Sequence, residues 1–257
     1  GEINMKDKIM GNQIQFLDCT IRDGGYYNQW DFSVDLINDY LESMVDIGVD
    51  IVELGFRSKI NKGFKGPFAF TTEQFLQTLK LPPRISIAVM INAKEIVSES
   101  TMFQVLKELF PVPADQSCVD LVRIACHSHE FKEALKATEW LKENGYSVGF
   151  NLMQIAELNA NEVIELVKLA NNYPIDVLYF ADSMGSMKPS EVKSLARIIS
   201  NEVCMPLGIH THDNQGLALA NTLEAIDNGV SWVDATVTGM GRGPGNAKTE
   251  EAAIEIS

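Results

Sequence analysis

"PLGIHTHDNQGLALANTLEAIDNGVSWVDATV", residues 206–237, contains one complete structural period. An apolar run ends at His210 and His212, a segment with helical spacing follows over 217–229 and stops at a glycine, and a second β-branched run covers 232–237. A strand, a helix and a strand in this order form a parallel βαβ unit, because the crossover is too long for a hairpin.

The same period recurs along the chain. The further strand candidates are "IQFLDCT" (14–20), "DIVELGF" (50–56), "RISIAVM" (84–90), "DLVRIAC" (120–126), "SVGFNLM" (147–153) and "DVLYFAD" (176–182), which with 206–212 and 232–237 make eight. The intervening segments read as helices. "SVDLINDYLESMVDIG" places Leu36, Tyr40, Leu41 and Met44 on one face and ends at Gly48. "NANEVIELVKLANN" and "KPSEVKSLARIISNEV" open on Asn or Ser caps with a nearby Glu. Eight strands spaced roughly 25–35 residues apart predict an α/β fold, a closed (β/α)8 TIM barrel, as a single catalytic domain over 1–257. An open doubly wound sheet would carry a glycine fingerprint after its first strand, and "CTIRDGGYYNQW" is not GxGxxG. Segment 59–70, "KINKGFKGPFAF", reads as an insertion after strand 2, either a lid or a surface loop packed by its own aromatics.

Apolar residues make up 46% of the 257, enough for a large core, and the formal charge is −14. That charge argues against nucleic acid as a partner. No apolar stretch reaches the ~20 residues that span a bilayer, so no membrane association is expected. Cys19, Cys118, Cys126 and Cys204 form no CxxC pair, which predicts reduced, mostly buried thiols and a cytoplasmic setting. The C-terminus, "TEEAAIEIS", stops inside a helical pattern, so truncation at this end is expected.

In such a barrel the active site lies where strands end and βα-loops begin. Strand 1 ends in Asp18, Thr20, Arg22 and Asp23; strand 2 carries Glu53, strand 4 Arg123 and His127, and strand 5 Asn151. Strand 6 ends at Asp182, strand 7 at His210 and His212, and the loop after strand 8 ends in Asn246. Side chains two apart on a strand share a face, so His210 and His212 project together at the rim. Two imidazoles with a carboxylate from across the barrel suit a divalent ion, Mn²⁺, Mg²⁺, Co²⁺, Fe²⁺ or Zn²⁺. The competing reading is that one His caps the strand and the other bonds an acidic neighbour. Glu53 and Arg123 sit in apolar strands, where an unpaired charge is costly, so they either pair or face a polar site. No Lys lies inside a strand candidate; Lys59 and Lys188 fall just beyond strands 2 and 6. A Schiff-base aldolase needs a desolvated Lys, so its absence favours metal-based enolate chemistry.

"LDCTIRDGG" (17–25), "LGIHTHDNQGLALAN" (207–221) and "GMGRGPGNAKTE" (239–250), with "VELGF" and "ADSMG", resemble in order the signatures of the pyruvate-carboxyltransferase-like metal-dependent lyases and synthases, the HMG-CoA lyase-like family. Within it, "VRIACHSHE" (122–130) and "ADSMGSMKPSEV" (181–192) lean towards 4-hydroxy-2-oxovalerate aldolase. The resemblance implies that Asp23, His210 and His212 hold the divalent metal, with Asn246 near or on it. It implies Arg22 as the enolate-stabilising cation, with Glu53 and Asp182 as polar partners. Thr20, Arg123 and Asn151 are expected at the substrate. Where the aldolases place a His and the CoA lyases a Gln, this chain has Tyr26. The proton acceptor is therefore sought among Tyr26, Tyr27, His127 and Glu53. The expected function is a metal-dependent carbon–carbon lyase that cleaves or forms a 4-hydroxy-2-oxo acid via a metal-bound pyruvate-type enolate. Mn²⁺ or Mg²⁺ is the expected cofactor, and a 2-oxo acid and an aldehyde are the partners, in a homo-oligomer or a larger fused chain. The alternatives are an acyl-CoA condensing synthase, an HMG-CoA lyase-like enzyme and a non-catalytic metal-bound barrel.

Overall fold

The computed structural model describes residues 13–59, 62–98, 100–182 and 185–256. Eight parallel strands close in sequence order: β1 (Gln15–Asp18), β2 (Ile51–Phe56), β3 (Ser86–Asn92), β4 (Leu121–Cys126), β5 (Ser147–Leu152), β6 (Val177–Ala181), β7 (Leu207–His210) and β8 (Trp232–Ala235). The helices are α1 (Thr20–Gly24), α2 (Val34–Ile47), α3 (Glu73–Leu76), α4 (Met102–Leu109), α5 (Ser128–Ala134), α6 (Ala137–Glu143), α7 (Ala160–Ala170), α8 (Pro189–Glu202), α9 (Ala218–Asp227) and α10 (Thr249–Ile256). This is the expected TIM barrel. Among the described residues, no helix is long and apolar enough to cross a membrane.

The strand period of two divides the core. Leu17, Ile51, Ala88, Leu121, Val177, Tyr179 and Trp232 form, with Cys19, one buried cluster that fills the barrel interior. The alternate residues, such as Phe16, Val52, Val89, Val122 and Ile209, join the larger cluster shared with the helices. Strands with both faces covered are apolar along their whole length, which is why these runs do not alternate with polar residues.

Local signals act largely as expected, with shifts of a residue or so. Ser33 caps α2, and Gly48, at φ +86, closes it. The buried stripe of α2 is Ile37, Leu41 and Met44, while Leu36 is 54% exposed. Leu41 and Met44 thus lie on the expected face and Tyr40 packs beside it, while Ile37 takes the place expected of Leu36, because the i, i+4, i+7 set starting at Ile37 points at the sheet. Asn159 and Glu162 form a reciprocal capping box on α7. On α8 the cap position is Lys188, not Ser190, since Pro189 takes the first helical position and Glu191 accepts from the Lys188 N–H. Of the insertion, residues 60 and 61 lie outside the described residues. Beyond them Phe68 is fully buried, edge-on to Phe32 and Phe75, while Phe64 is exposed. The segment is thus anchored at its far end by its own aromatic. Of the cysteines, Cys19 and Cys126 are buried and Cys204 is exposed.

The barrel interior is filled by large rings that need a gap opposite them. Gly208 on β7 supplies one: a Cβ there would stand 2.5 Å from the Tyr179 ring. Gly208→Ala is expected to cost about 1–3 kcal/mol in urea unfolding. In the double variant with Tyr179→Leu that penalty should shrink by more than half, and additive penalties would show that the two sites do not share space.

Candidate active site

β1 ends one residue before α1, and that short helix changes how its polar residues are presented. In a continuing strand Arg22 and Asp23 would face opposite ways; in the helix the Arg22 Nη1 reaches Asp23 Oδ1 at 3.2 Å. Arg22 Nε also donates to Glu53 Oε1 at 2.7 Å. Both side chains of this pair are buried. Next to them Arg123 uses every nitrogen: Nε and Nη2 bond Glu53, and Nη1 forks onto both Asp234 oxygens at 2.9 and 2.7 Å. Asp234 Oδ2 in turn meets His210 Nδ1 at 2.8 Å.

The two arginines therefore differ. Arg123 is fully buried with each of its nitrogens on a carboxylate, and it ties β2 to β8 through the barrel. Arg22 lines the mouth cavity and, among the described residues, its Nη2 makes no hydrogen bond. A guanidinium edge free of partners is available to a ligand.

Asp234 was not among the residues expected from sequence. The signal was present, because "WVDATV" buries a charge in an apolar strand just as strands 2 and 4 do. Its carboxyl is held down at about 2: burial opposes ionisation, but Arg123 and His210 outweigh it. Accepting from Nδ1, Asp234 selects the His210 tautomer that leaves Nε2 with a lone pair.

That Nε2 faces Asp23 Oδ2 across 3.6 Å. Two lone-pair donors at this spacing fit around a cation bonded to each at about 2.1 Å. Burial alone would push the Asp23 carboxyl up; Arg22, His210, the Asn246 amide and His212 hold it below the usual carboxylate range. Asn246 donates through Nδ2 to Asp23 Oδ2, while its own Oδ1 is buried with no partner. His212 lies just beyond β7 in a bridge to Asn246, with its ring centroid 5.0 Å from that of His210. Burial and the neighbouring His210 push His212 down to about 3, so its imidazole is neutral; among the described residues its ring nitrogens carry no hydrogen bond.

Together these groups fit a divalent cation. The buried cluster has two guanidinium groups, Arg22 and Arg123, against three carboxylates, Asp23, Glu53 and Asp234. One negative charge is left without an opposite, next to an orphaned amide oxygen. The ligand atoms of Cys19, His210 and Asp234 also lie within 4.8 Å of one another, a group consistent with a divalent-metal site around His210. On that side, however, Nδ1 is already bonded to Asp234, and burial pushes the Cys19 thiol up, against the thiolate form that binds metals. The open side of His210 is the one facing Asp23.

A cavity of about 720 Å³ opens above this cluster and reaches Arg22, Tyr26, His127, His212 and Arg242. Glu53 lies beneath it, with both oxygens held by arginines. Tyr27 is 66% exposed, outside the lining, and its hydroxyl donates to Gly241 O. Of the four residues considered as proton acceptors, Tyr26 and His127 thus face the cavity. Asn151, on β5, pairs in register with Ala125 of the lining but is buried beside it, with Oδ1 unpartnered. Thr20 accepts from Val237 N and Asp182 from Ser186 N and Met187 N, so both organise loop backbone rather than the cavity wall.

The profile of the HMGL-like family matches residues 13–257. A 4-hydroxy-2-oxovalerate aldolase of Carboxydothermus hydrogenoformans is 30% identical over 247 residues, spanning 94% of this chain and 70% of that protein. An oxaloacetate decarboxylase of Mycobacterium tuberculosis is 25% identical over 235 residues, 91% of this chain and 67% of its own length. Among solved structures, the N-terminal domain of a provisionally named aldolase from Bacteroides vulgatus superposes with a TM-score of 0.84 at 34% identity, over 95% of this chain and 79% of that one. A barrel of this topology, with its polar cluster where the first, seventh and eighth strands end, and a family match over nearly the whole sequence place this chain in the HMGL-like family.

Proposed function

We propose that the chain is a divalent-metal-dependent carbon–carbon lyase of the aldolase type, acting on a 4-hydroxy-2-oxo acid. The observation that carries this reading is the juxtaposition of Asp23, His210, His212 and Asn246 with a guanidinium that keeps one edge free. The names of the two curated relatives support it. 4-Hydroxy-2-oxovalerate and oxaloacetate are both 2-oxo acids, and aldol cleavage of one and decarboxylation of the other break the bond between C3 and C4. Each reaction leaves the enolate of pyruvate, so a site built to stabilise that enolate serves both.

Asp23, His210, His212 and Asn246 would hold the cation, which when bound supplies Lewis-acid polarisation of the 2-oxo group. Arg22 directs Nη2 to the oxygen on which charge develops, and Glu53 and Asp23 keep its guanidinium from turning. Such a preorganised donor is worth about 3–4 kcal/mol of barrier. His127 takes the proton of the C4 hydroxyl; the C3–C4 bond breaks and its electron pair delocalises onto the 2-oxo oxygen. An imidazole accepts a proton near neutrality more readily than a phenol does. Tyr26, packed edge-on against Trp30 and Phe56, then acts as a fixed polar wall.

Three outcomes follow for purified protein. His210→Ala combined with His212→Ala should abolish Mn²⁺ binding, read as free Mn²⁺ by electron paramagnetic resonance, with circular dichroism unchanged; a retained full equivalent would move the site elsewhere. Arg22→Lys should lower kcat for pyruvate release from 4-hydroxy-2-oxo acids by about 100-fold, since the planar fork is lost, and an unchanged kcat would remove Arg22 from the reaction. His127→Gln should lower kcat by at least about 100-fold and Tyr26→Phe by less than tenfold, whereas the reverse order would make the phenol the proton acceptor.

A further inference from the structure

The cavity is far larger than a three-carbon 2-oxo acid requires, and its charge is opposite to that of the molecule. In a chain of net charge −14, three cations line it, Arg22, Lys94 and Arg242, against one carboxylate, Glu130. Glu130 is occupied, because its Oε1 accepts from the His127 N–H at the start of α5. Arg22 is held by Glu53 and Asp23. Among the described residues, Lys94 and Arg242 pair with no carboxylate and donate no side-chain hydrogen bond. Both are exposed at the mouth, on loops that follow β3 and β8.

Arg242 is also held in place. Its guanidinium stacks 4.7 Å over the Tyr26 ring. The neighbouring Gly241 carbonyl accepts from the Tyr27 hydroxyl, and the Met240 carbonyl accepts from Asn246 Nδ2. Gly245, at φ +91, folds the loop so tightly that a Cβ would stand 2.1 Å from Gly239 O. A long cationic side chain fixed on an aromatic face, over a polar cavity, with no partner, loses little freedom when an anion arrives.

We propose that the half of the substrate remote from the 2-oxo acid carries an anionic group, a carboxylate or a phosphate, received by Lys94 and Arg242. This rests on the aldolase reading for the word substrate, and on the cavity alone for the anion. The acceptor is then a charged aldehyde rather than a small neutral one. The like charges of Lys94 and Arg242 at the mouth repel a cationic acceptor.

The test has a binding arm and a turnover arm. By calorimetry, glycerol 3-phosphate or succinate should bind the purified protein at least about tenfold more tightly than glycerol, with affinity falling as salt rises. Arg242→Gln and Lys94→Gln should each weaken the anion that binds by about fivefold. Which of the two anions binds identifies phosphate or carboxylate as the group recognised. In the turnover arm, condensation with pyruvate should favour glyceraldehyde 3-phosphate or succinic semialdehyde over propanal, and that preference should collapse in both variants. Anions that bind no better than glycerol, or variants that bind them as the parent does, would overturn the proposal. If no aldehyde is turned over the aldolase reading fails, while the binding arm still decides on the anion.

Discussion

The site depends on Asp234 standing between Arg123 and His210. Its two oxygens take a forked pair of bonds from Arg123, and one of them also meets His210 Nδ1 at 2.8 Å. All three groups are buried, so each is solvated by the others instead of by water. Removing one partner from such a buried set typically costs about 3–5 kcal/mol. The arrangement orients an imidazole and fixes its tautomer, which a loop-borne histidine in water could not sustain. It also joins β2, β4, β7 and β8 through the barrel interior, so the bonds that support the site also tie four strands of the barrel together.

From that support outward, polarity is graded. The lower interior is apolar, with Trp232 and Tyr179 filling space beside Leu17 and Leu121. Above it lies the charged layer of Glu53, Arg123 and Asp234, where every nitrogen of the Arg123 guanidinium donates to a carboxylate. The next layer is incomplete among the described residues: Arg22 keeps one edge free, Asn246 leaves its Oδ1 orphaned, and the His212 ring makes no hydrogen bond. Unfinished bonding beside a finished layer separates the candidate site from the structural network beneath it. It is also why two arginines in similar apolar surroundings have different roles.

The expectation for His210 and His212 was a shared strand face, and the structure reaches a similar result by another route. β7 stops at His210, and His212 is set by its bridge to Asn246 in the glycine loop. For Arg22 and Asp23 the route also differs, since a short helix rather than a strand end makes them neighbours. Thr20 was expected at the substrate and, from the family resemblance, Asp182 in the pocket; both sit at strand ends. Short polar side chains there are equally suited to accept loop N–H groups, and that is their use here.

The order of apolar runs and helical segments determined the barrel by itself, because eight buried parallel strands with covering helices have one compact closure. It also determined which strand ends bear polar side chains, and hence the neighbourhood of Asp23, His210 and Asn246. Only the tertiary structure decided which charges are spent. Arg123 and Arg22 look alike in sequence, and Asp234 looks like an ordinary strand residue. Pairing is a property of distances between side chains 31 to 111 positions apart, and a hydrogen-bond donor left without a partner can be recognised only after every other donor has found one.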